Sequence, residues 1–177
     1  YKAVSSEINW PTNDDEIIPL TDKYQKLLMD TYNRSIHVLE APELPGPTLS
    51  NTLDIEKITE NYFKHDFGLT YFDNFLSPVA LDSIRRFLLG STIWFDFFHT
   101  GGYMGSYVSD GMACPLFFQI AEEMRTTFPK IFKKHQLRNL WAYKYDSRAY
   151  KNDSPFTGIN AHADSAAVNV NFWITPK

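Results

Sequence analysis

The chain has 177 residues, of which 44% are hydrophobic and 16% are aromatic. Its 17 basic and 21 acidic residues give a formal net charge of -4 at pH 7. This composition excludes wholesale disorder, because burial of so many apolar side chains offsets the conformational entropy that folding costs. The length suits one domain of ordinary size, and the sequence has no dense basic cluster of the kind that binds nucleic acid.

The cysteine count and the hydropathy narrow the class of protein further. Cys114 is the single cysteine, which excludes an internal disulfide framework and a zinc site built from several cysteines. No run of residues reaches the roughly 18 apolar positions that a membrane span needs. We therefore expect a cytoplasmic protein without a membrane partner, in which histidine and carboxylate side chains would hold any metal.

Local signals predict several helices. Apolar spacing favours one short helix from Thr21 and a second from Asp54. Ser77 followed by Pro78 places a side-chain cap and a first-turn proline at the start of a third helix. Pro115 begins a fourth helix, whose apolar stripe comprises Phe117, Ile120, Ala121, Met124 and Phe128.

Proline and glycine mark the irregular segments. Residues 1–20 are predicted to be an irregular lead-in, and Ala-Pro-Glu-Leu-Pro-Gly-Pro at 41–47 is predicted to be a connector, because proline lacks a backbone donor. The glycines of residues 100–111 predict a loop or loose hairpin, and residues 146–158 a polar loop. Strand-forming residues predict strands at 69–75, 93–98 and 140–145.

The order of these elements predicts an α+β fold, with N-terminal helices packed on an antiparallel sheet. We expect residues 1–66 to form a helical and irregular extension, and residues 67–177 to form the main domain.

The residues that point to chemistry lie near the end of the chain, where residues 159–174 are predicted to form a strand, a short break and a strand. Side chains two apart in a strand project to the same side, so His162 and Asp164 are expected to converge while Ala163 faces away. One imidazole and one carboxylate are two of the three protein ligands in the facial triad that binds Fe(II). Small side chains leave room for a metal and a co-substrate: Ala161, Ala163, Ser165, Ala166 and Ala167.

The following residues alternate in polarity. Val168, Val170, Phe172 and Ile174 are predicted to share one strand face, and Asn169, Asn171, Trp173 and Thr175 the other. A wholly exposed face would not place Trp173 among amides, and a dry core would not leave two amides unpaired. This face therefore predicts a semi-polar cavity. The alternative is that Asn169 and Asn171 face solvent at a sheet edge.

Two segments resemble a known family: Leu-Trp-Ala-Tyr-Lys-Tyr-Asp-Ser-Arg at 140–148 and Gly-Ile-Asn-Ala-His-Ala-Asp at 158–164. They are similar to the Fe(II)- and 2-oxoglutarate-dependent dioxygenases of the prolyl 4-hydroxylase-like group, and within it to bacterial tetratricopeptide-repeat-associated oxygenases. The resemblance covers roughly residues 69–177. It implies the N-terminal part of a double-stranded β-helix, or jelly roll, and a hydroxylase acting on an unknown small-molecule or peptidyl substrate.

The resemblance also implies the site. His162 and Asp164 would bind Fe(II), and Tyr143 or Tyr145 would bind the co-substrate 2-oxoglutarate. Together with the cavity residues Asn171 and Trp173, these tyrosines are the candidate co-substrate residues. No side chain is assigned as a catalytic acid, base or nucleophile, because the chemistry would belong to the metal and the co-substrate.

The chain departs from the family pattern beyond Asp164. The family has a second histidine and a basic co-substrate residue on later strands, whereas no histidine follows His162 here and Lys177 is the only later basic residue. His99, ahead of the glycine-rich segment, is a weaker candidate for the third ligand. We therefore expect a C-terminally truncated fragment that is inactive alone.

Two other interpretations remain open. The chain is alternatively a non-catalytic jelly-roll module, or a cupin-like module that binds sugars or small acids. For the jelly-roll module, the unpaired edge of a strand at 168–174 predicts a homo-oligomer, because an open strand edge pairs readily with another copy.

Overall fold

The computed structural model describes residues 1–13, 18–32, 34–96, 103–145 and 164–176. Within these ranges the chain combines helices with a small antiparallel sheet, which agrees with the predicted α+β class. The elements in chain order are α1 (Lys2–Glu7), α2 (Asp22–Leu28), α3 (Ile55–Lys64), α4 (Pro78–Gly90), β1 (Tyr103–Tyr107), a 3₁₀ turn (Val108–Asp110), α5 (Pro115–Thr127), α6 (Pro129–Phe132) and β2 (Trp141–Tyr145).

Helix α4 begins where the sequence predicts a helix. Ser77 is the N-cap residue, and its Oγ accepts a hydrogen bond from the Ala80 backbone N at 3.3 Å. Pro78 occupies the first turn, where a missing N–H leaves no internal hydrogen bond unmade. Gly90 is the last helical residue. One face of the helix is buried through Ala80, Ile84, Phe87 and Leu88.

Helix α5 holds the proline-rich connector in place. Gln119 Oε1 accepts a hydrogen bond from Leu44 N at 2.7 Å, and Gln119 Nε2 donates to the Leu44 and Gly46 carbonyl oxygens at 3.2 Å each. One turn later, Glu123 Oε2 accepts hydrogen bonds from Thr48 N and Thr48 Oγ1, both at 2.7 Å. These side chains pair backbone groups that the connector, lacking regular secondary structure, cannot pair itself.

The hydrophobic core extends across the predicted boundary at residue 66. Ala41, Leu49 and Ile58 precede that boundary, and they pack in the same buried cluster as residues of α4 and α5. Within the cluster, the rings of Phe87 and Phe117 meet edge to face with centroids 6.0 Å apart. Residues 41–64 therefore share their core with the main domain.

The sheet in the described part of the chain is formed by β1 and β2, which pair antiparallel. Tyr103 lies opposite Tyr145, and Tyr107 lies opposite Trp141. A single bridge from Asp96 to Gly105 adds the end of the preceding segment to the edge of β1.

Some predicted elements are wrong. Residues 1–20, predicted as irregular, include α1. Residues 69–75 do not form a strand, and Tyr71 there is 93% exposed. The described part of 93–98 makes only the Asp96 bridge. At 69–75 and in the described part of 93–98, the strand-forming residues have no neighbouring strand to pair with along their length. A strand needs such a neighbour to satisfy its backbone hydrogen-bonding groups.

Conversely, β1 lies inside the segment predicted to be a loop or loose hairpin. Its tyrosines flank Gly105, which sits in the middle of the strand. The glycines led to the prediction of a loop, although glycine within a strand often marks a close approach of another part of the chain rather than a turn.

Among the described residues, no helix has both the length and the apolar character needed to cross a lipid bilayer.

Candidate metal and co-substrate site

Of the two predicted metal ligands, Asp164 is among the residues that the structure describes. His162 lies outside them, as does His99, the weaker candidate for a third ligand. The Asp164 side chain is at the surface, and its Oδ2 accepts a hydrogen bond from Asn169 Nδ2 at 3.2 Å. The Asp164 carbonyl oxygen accepts a second hydrogen bond from Ala166 N at 2.8 Å. Residues 164–169 therefore form a turn that brings an amide to the carboxylate.

The segment that follows Asp164 packs on the core, but it is not paired as a strand. Phe172 contacts Phe75, with ring centroids 5.8 Å apart. Arg85 of α4 donates hydrogen bonds to the carbonyl oxygens of Ile174 and Thr175, the latter at 3.2 Å. A helix side chain thus takes the place of a neighbouring strand, and the strand prediction for residues 164–174 is wrong.

The predicted alternation holds in part. Val168, Phe172 and Ile174 pack against the core as one face, whereas Val170 of the same face is 40% exposed. On the other face Asn171 is exposed, and Trp173 is 89% exposed. Within the described residues these side chains face outward, in line with the alternative of solvent-facing amides. Their role toward 2-oxoglutarate stays a prediction.

The aromatic strand β2 is confirmed, and it builds one face of the sheet together with β1. Strand alternation places Tyr103, Gly105 and Tyr107 on the same side as their partners Tyr145, Tyr143 and Trp141. The ring of Tyr103 meets that of Tyr143 edge to face at 5.4 Å and that of Tyr145 at 5.3 Å, with interplanar angles of 88° and 30°. We call these six residues the tyrosine face.

Asp96 lies against the tyrosine face at Gly105. A Cβ atom added to Gly105 would be 2.9 Å from Asp96 Oδ2 and 3.2 Å from Tyr143 Cε1. The absence of a side chain at this position therefore lets the carboxylate and the ring approach. Hydrogen bonding to Tyr143, burial and hydrogen bonding to Asp96 raise the pKa of Tyr107 well above its ordinary value. The Tyr107 hydroxyl therefore lies within hydrogen-bonding reach of both Tyr143 and Asp96.

The tyrosine face can be compared with what 2-oxoglutarate needs, since Tyr143 and Tyr145 are candidates to bind it. The six residues include no lysine or arginine, and Lys144 of β2 points to the opposite side, with its Nζ 5.7 Å from the ring centre of Trp94. Asp96 would repel an incoming carboxylate at short range. In this part of the described structure, the residues therefore suit a hydroxyl-rich or neutral ligand better than a dicarboxylate.

The candidate metal ligands can likewise be compared with the ligands that Fe(II) prefers. The part of the chain that the structure describes contains no group of three or more histidine, cysteine, aspartate or glutamate residues arranged to hold a metal ion. Asp164 contributes one oxygen donor, and its surface position lets a second donor approach. An imidazole with a carboxylate is a donor set that suits Fe(II), so the residues fit the metal in kind.

Sequence reasoning missed two residues of this region, Asp96 and Arg85, and did not predict the contact of Asn169 with Asp164. Asp96 reaches the tyrosine face through a bridge to β1, Asn169 contacts Asp164 across a turn, and Arg85 binds the following segment from α4. The contacts of Asp96 and Arg85 join distant parts of the chain, so no local pattern reports them. The Tyr-Met-Gly-Ser-Tyr sequence of β1 carries a usable signal, because its tyrosines lie four residues apart and so share one strand face.

No family model, no curated protein and no solved structure matches the chain. A functional assignment therefore depends on the chemistry of its own residues.

Proposed function

We propose that the chain is part of a non-haem Fe(II)- and 2-oxoglutarate-dependent oxygenase domain with a partial jelly-roll fold, which hydroxylates a small-molecule or peptidyl substrate. The single observation that carries the proposal is the spacing of His162 and Asp164. The aromatic strand β2 ahead of the pair supports it. So does the position of the Asp164 carboxylate at the surface, at the start of a segment that the core and α4 hold in place.

These residues have different parts in this proposal. When bound, Fe(II) and 2-oxoglutarate would supply the oxidative chemistry of a hydroxylation. His162 and Asp164 would hold the metal. Because the tyrosine face suits a neutral ligand better than a dicarboxylate, no contact with the co-substrate is assigned to Tyr143 and Tyr145. Arg85 holds the backbone at Ile174 and Thr175, further along the segment that follows Asp164.

A metal titration tests the proposal. We expect the chain to bind Mn(II), used as a stable substitute for Fe(II), and His162→Ala and Asp164→Ala each to weaken binding by about 10-fold or more. Asp66→Ala, which removes a carboxylate from an exposed turn, is the matched control. Equal affinity in all four proteins would overturn the assignment. Where Fe(II)-dependent succinate formation is detected, the two ligand variants should lose it as well.

A second candidate function is a non-catalytic, cupin-like binding module. The tyrosine face favours it, because Asp96 and the aromatic rings suit neutral hydroxyl groups. A screen of sugars and small acids in the presence of EDTA separates the two functions. A binding module would retain its ligand in EDTA and in His162→Ala, and would lose affinity in Tyr143→Phe. The oxygenase would need the metal.

A further inference from the structure

Basic residues cluster around the end of α6, in a stretch of the chain that has no acidic residue. Residues 124–145 include six lysine or arginine residues and no aspartate or glutamate, although the whole chain has a formal net charge of -4. Two of the six have partners: Arg125 pairs with Glu122 at 2.6 Å, and Lys144 Nζ lies 5.7 Å from the ring centre of Trp94. We call the other four and one neighbouring histidine, all of them exposed, the basic strip: Lys130, Lys133, Lys134, His135 and Arg138.

We infer that the basic strip is a docking surface for an acidic segment, rich in glutamate or aspartate, of a partner protein. The inference goes beyond the proposed function, because the strip includes none of the residues assigned to the metal or to the co-substrate. Among the described residues, no member of the strip forms an ion pair with an acidic side chain. An incoming carboxylate therefore has no intramolecular ion pair to displace in that part of the structure.

The core holds the backbone of the strip in place. Ile131 is buried, and Phe132 packs against the same hydrophobic cluster. Lys133 N donates a hydrogen bond to the Pro129 carbonyl oxygen at 3.1 Å, and His135 N donates to the Phe132 carbonyl oxygen at 2.8 Å. The helical turn thus continues into the strip. A fixed backbone lowers the entropic cost of binding, because only the side chains have to be ordered.

The end of a helix explains only part of this charge. Cations in the last turn interact favourably with the helix dipole, but the effect falls off beyond that turn. Helix α6 ends at Phe132, whereas Arg138 lies six positions further along the chain. Like charges three and four positions apart on a helical turn, such as Lys130 with Lys133 and Lys134, repel each other. The stability of the fold therefore gives little reason for the cluster, which favours a partner of opposite charge.

The neighbouring side chains favour a protein partner over a nucleic acid or a lipid surface. Single-stranded nucleic acids stack their bases on exposed aromatic rings, whereas Phe132 packs against the core. Binding to a lipid surface needs several exposed apolar side chains, and Leu137, at 46%, is the one such side chain within residues 130–139, all of which the structure describes. Leu137 can instead cover an apolar residue of a peptide. The exposed amides of Gln136 and Asn139 can pair with its backbone.

A titration of the whole chain with a fluorescent polyglutamate peptide tests the inference, in about 50 mM NaCl with EDTA. EDTA removes any contribution of the proposed metal site, so the failure of one proposal is distinguishable from the failure of the other. We expect the unaltered chain to bind the peptide. A strip variant should bind about 10-fold or more weakly; it combines Lys130→Gln, Lys133→Gln, Lys134→Gln and Arg138→Gln.

The matched control removes four other exposed cations, so that both variants change the formal net charge from -4 to -8. It combines Lys2→Gln, Lys26→Gln, Lys57→Gln and Lys64→Gln, and it should weaken binding by less than about 2-fold. An equal loss in the two variants would mean that the peptide responds to net charge alone, and the inference would be overturned. It would be overturned as well if the unaltered chain did not bind the peptide.

Competition distinguishes the class of partner. Unlabelled polyglutamate should displace the probe at a lower concentration of charge than a DNA duplex or phosphatidylserine vesicles do. Stronger displacement by DNA or by vesicles would assign the strip to a nucleic acid or a lipid surface and would overturn the protein assignment. Circular dichroism checks that the strip variant is folded. If it is not, the single charge reversal Lys134→Glu, at an exposed turn position, takes its place in the same titration with the same expected loss.

Discussion

Ser106 is a buried residue whose hydroxyl group lies in a site where the described residues offer it no hydrogen bond. It lies on β1 opposite Ala142, on the side of the sheet away from the tyrosine face, and it is fully buried. Its Oγ has no hydrogen-bond partner among the described residues. Ser91, buried to a similar degree, uses its Oγ to accept a hydrogen bond from Leu39 N at 3.0 Å. The two serines therefore differ in whether the cost of burying a hydroxyl is offset.

We expect Ser106→Ala to leave the free energy of unfolding unchanged or to raise it by about 1 kcal/mol, because an unsatisfied polar group is removed. Ser91→Ala should lower it by about 1 kcal/mol, because the Leu39 backbone N–H loses its partner. Urea denaturation of the three proteins measures both changes. A loss in Ser106→Ala equal to that in Ser91→Ala would show that Ser106 Oγ has a partner after all.

At the scale of elements, the contact between α5 and the connector links acid stability to one carboxylate. Burial tends to raise the pKa of Glu123, but hydrogen bonds from Thr48, Leu49 and Gln119 outweigh it, so that the pKa is lowered from 4.5. A carboxyl group with a lowered pKa in the folded state stabilises that state above its unfolded pKa. The contribution is lost as the pH falls from about 4.5 through the folded value.

Glu123→Gln should therefore reduce the free energy of unfolding at neutral pH by about 1 to 2 kcal/mol, allowing for partial exposure. It should also flatten the acid limb of the stability profile below pH 5. Glu122→Gln, which removes an exposed partner of Arg125, is the control and should change stability little. Thermal unfolding between pH 3 and 7 checks both. An unchanged acid limb in Glu123→Gln would show that this carboxylate does not govern acid stability.

The helices could be predicted because their signals are local, whereas much of the strand structure could not. Ser77 and Pro78 specify the start of α4 within two adjacent residues. In contrast, the strand-forming residues around Tyr71 form no strand, since a strand depends on a partner elsewhere in the chain. The same limit applies to the site. Asp164 could be nominated from spacing, but the approach of Asp96 to Gly105 depends on the tertiary fold.

At the scale of the whole molecule, side-chain contacts attach the last described segment, residues 164–176, to the rest of the fold. Residues 164–176 are not paired as a strand, so the open edge on which the predicted homo-oligomer depends is not formed by this segment. The homo-oligomer stays a prediction. The segment is held instead by Arg85 and by its apolar residues, among them Phe172.

Arg85→Ala should therefore loosen the segment while α4 remains folded, because Arg85 is not part of the buried stripe of that helix. We expect proteolytic cleavage within residues 168–176 to become about 10-fold faster, as charge-assisted hydrogen bonds to the two carbonyl oxygens are lost. Arg86→Ala, which removes an exposed arginine from the next position, is the matched control and should leave the cleavage rate unchanged. Equal cleavage rates in the two variants would mean that apolar packing alone holds the segment. The position of Asp164 would then depend on Phe172 and its neighbours rather than on α4.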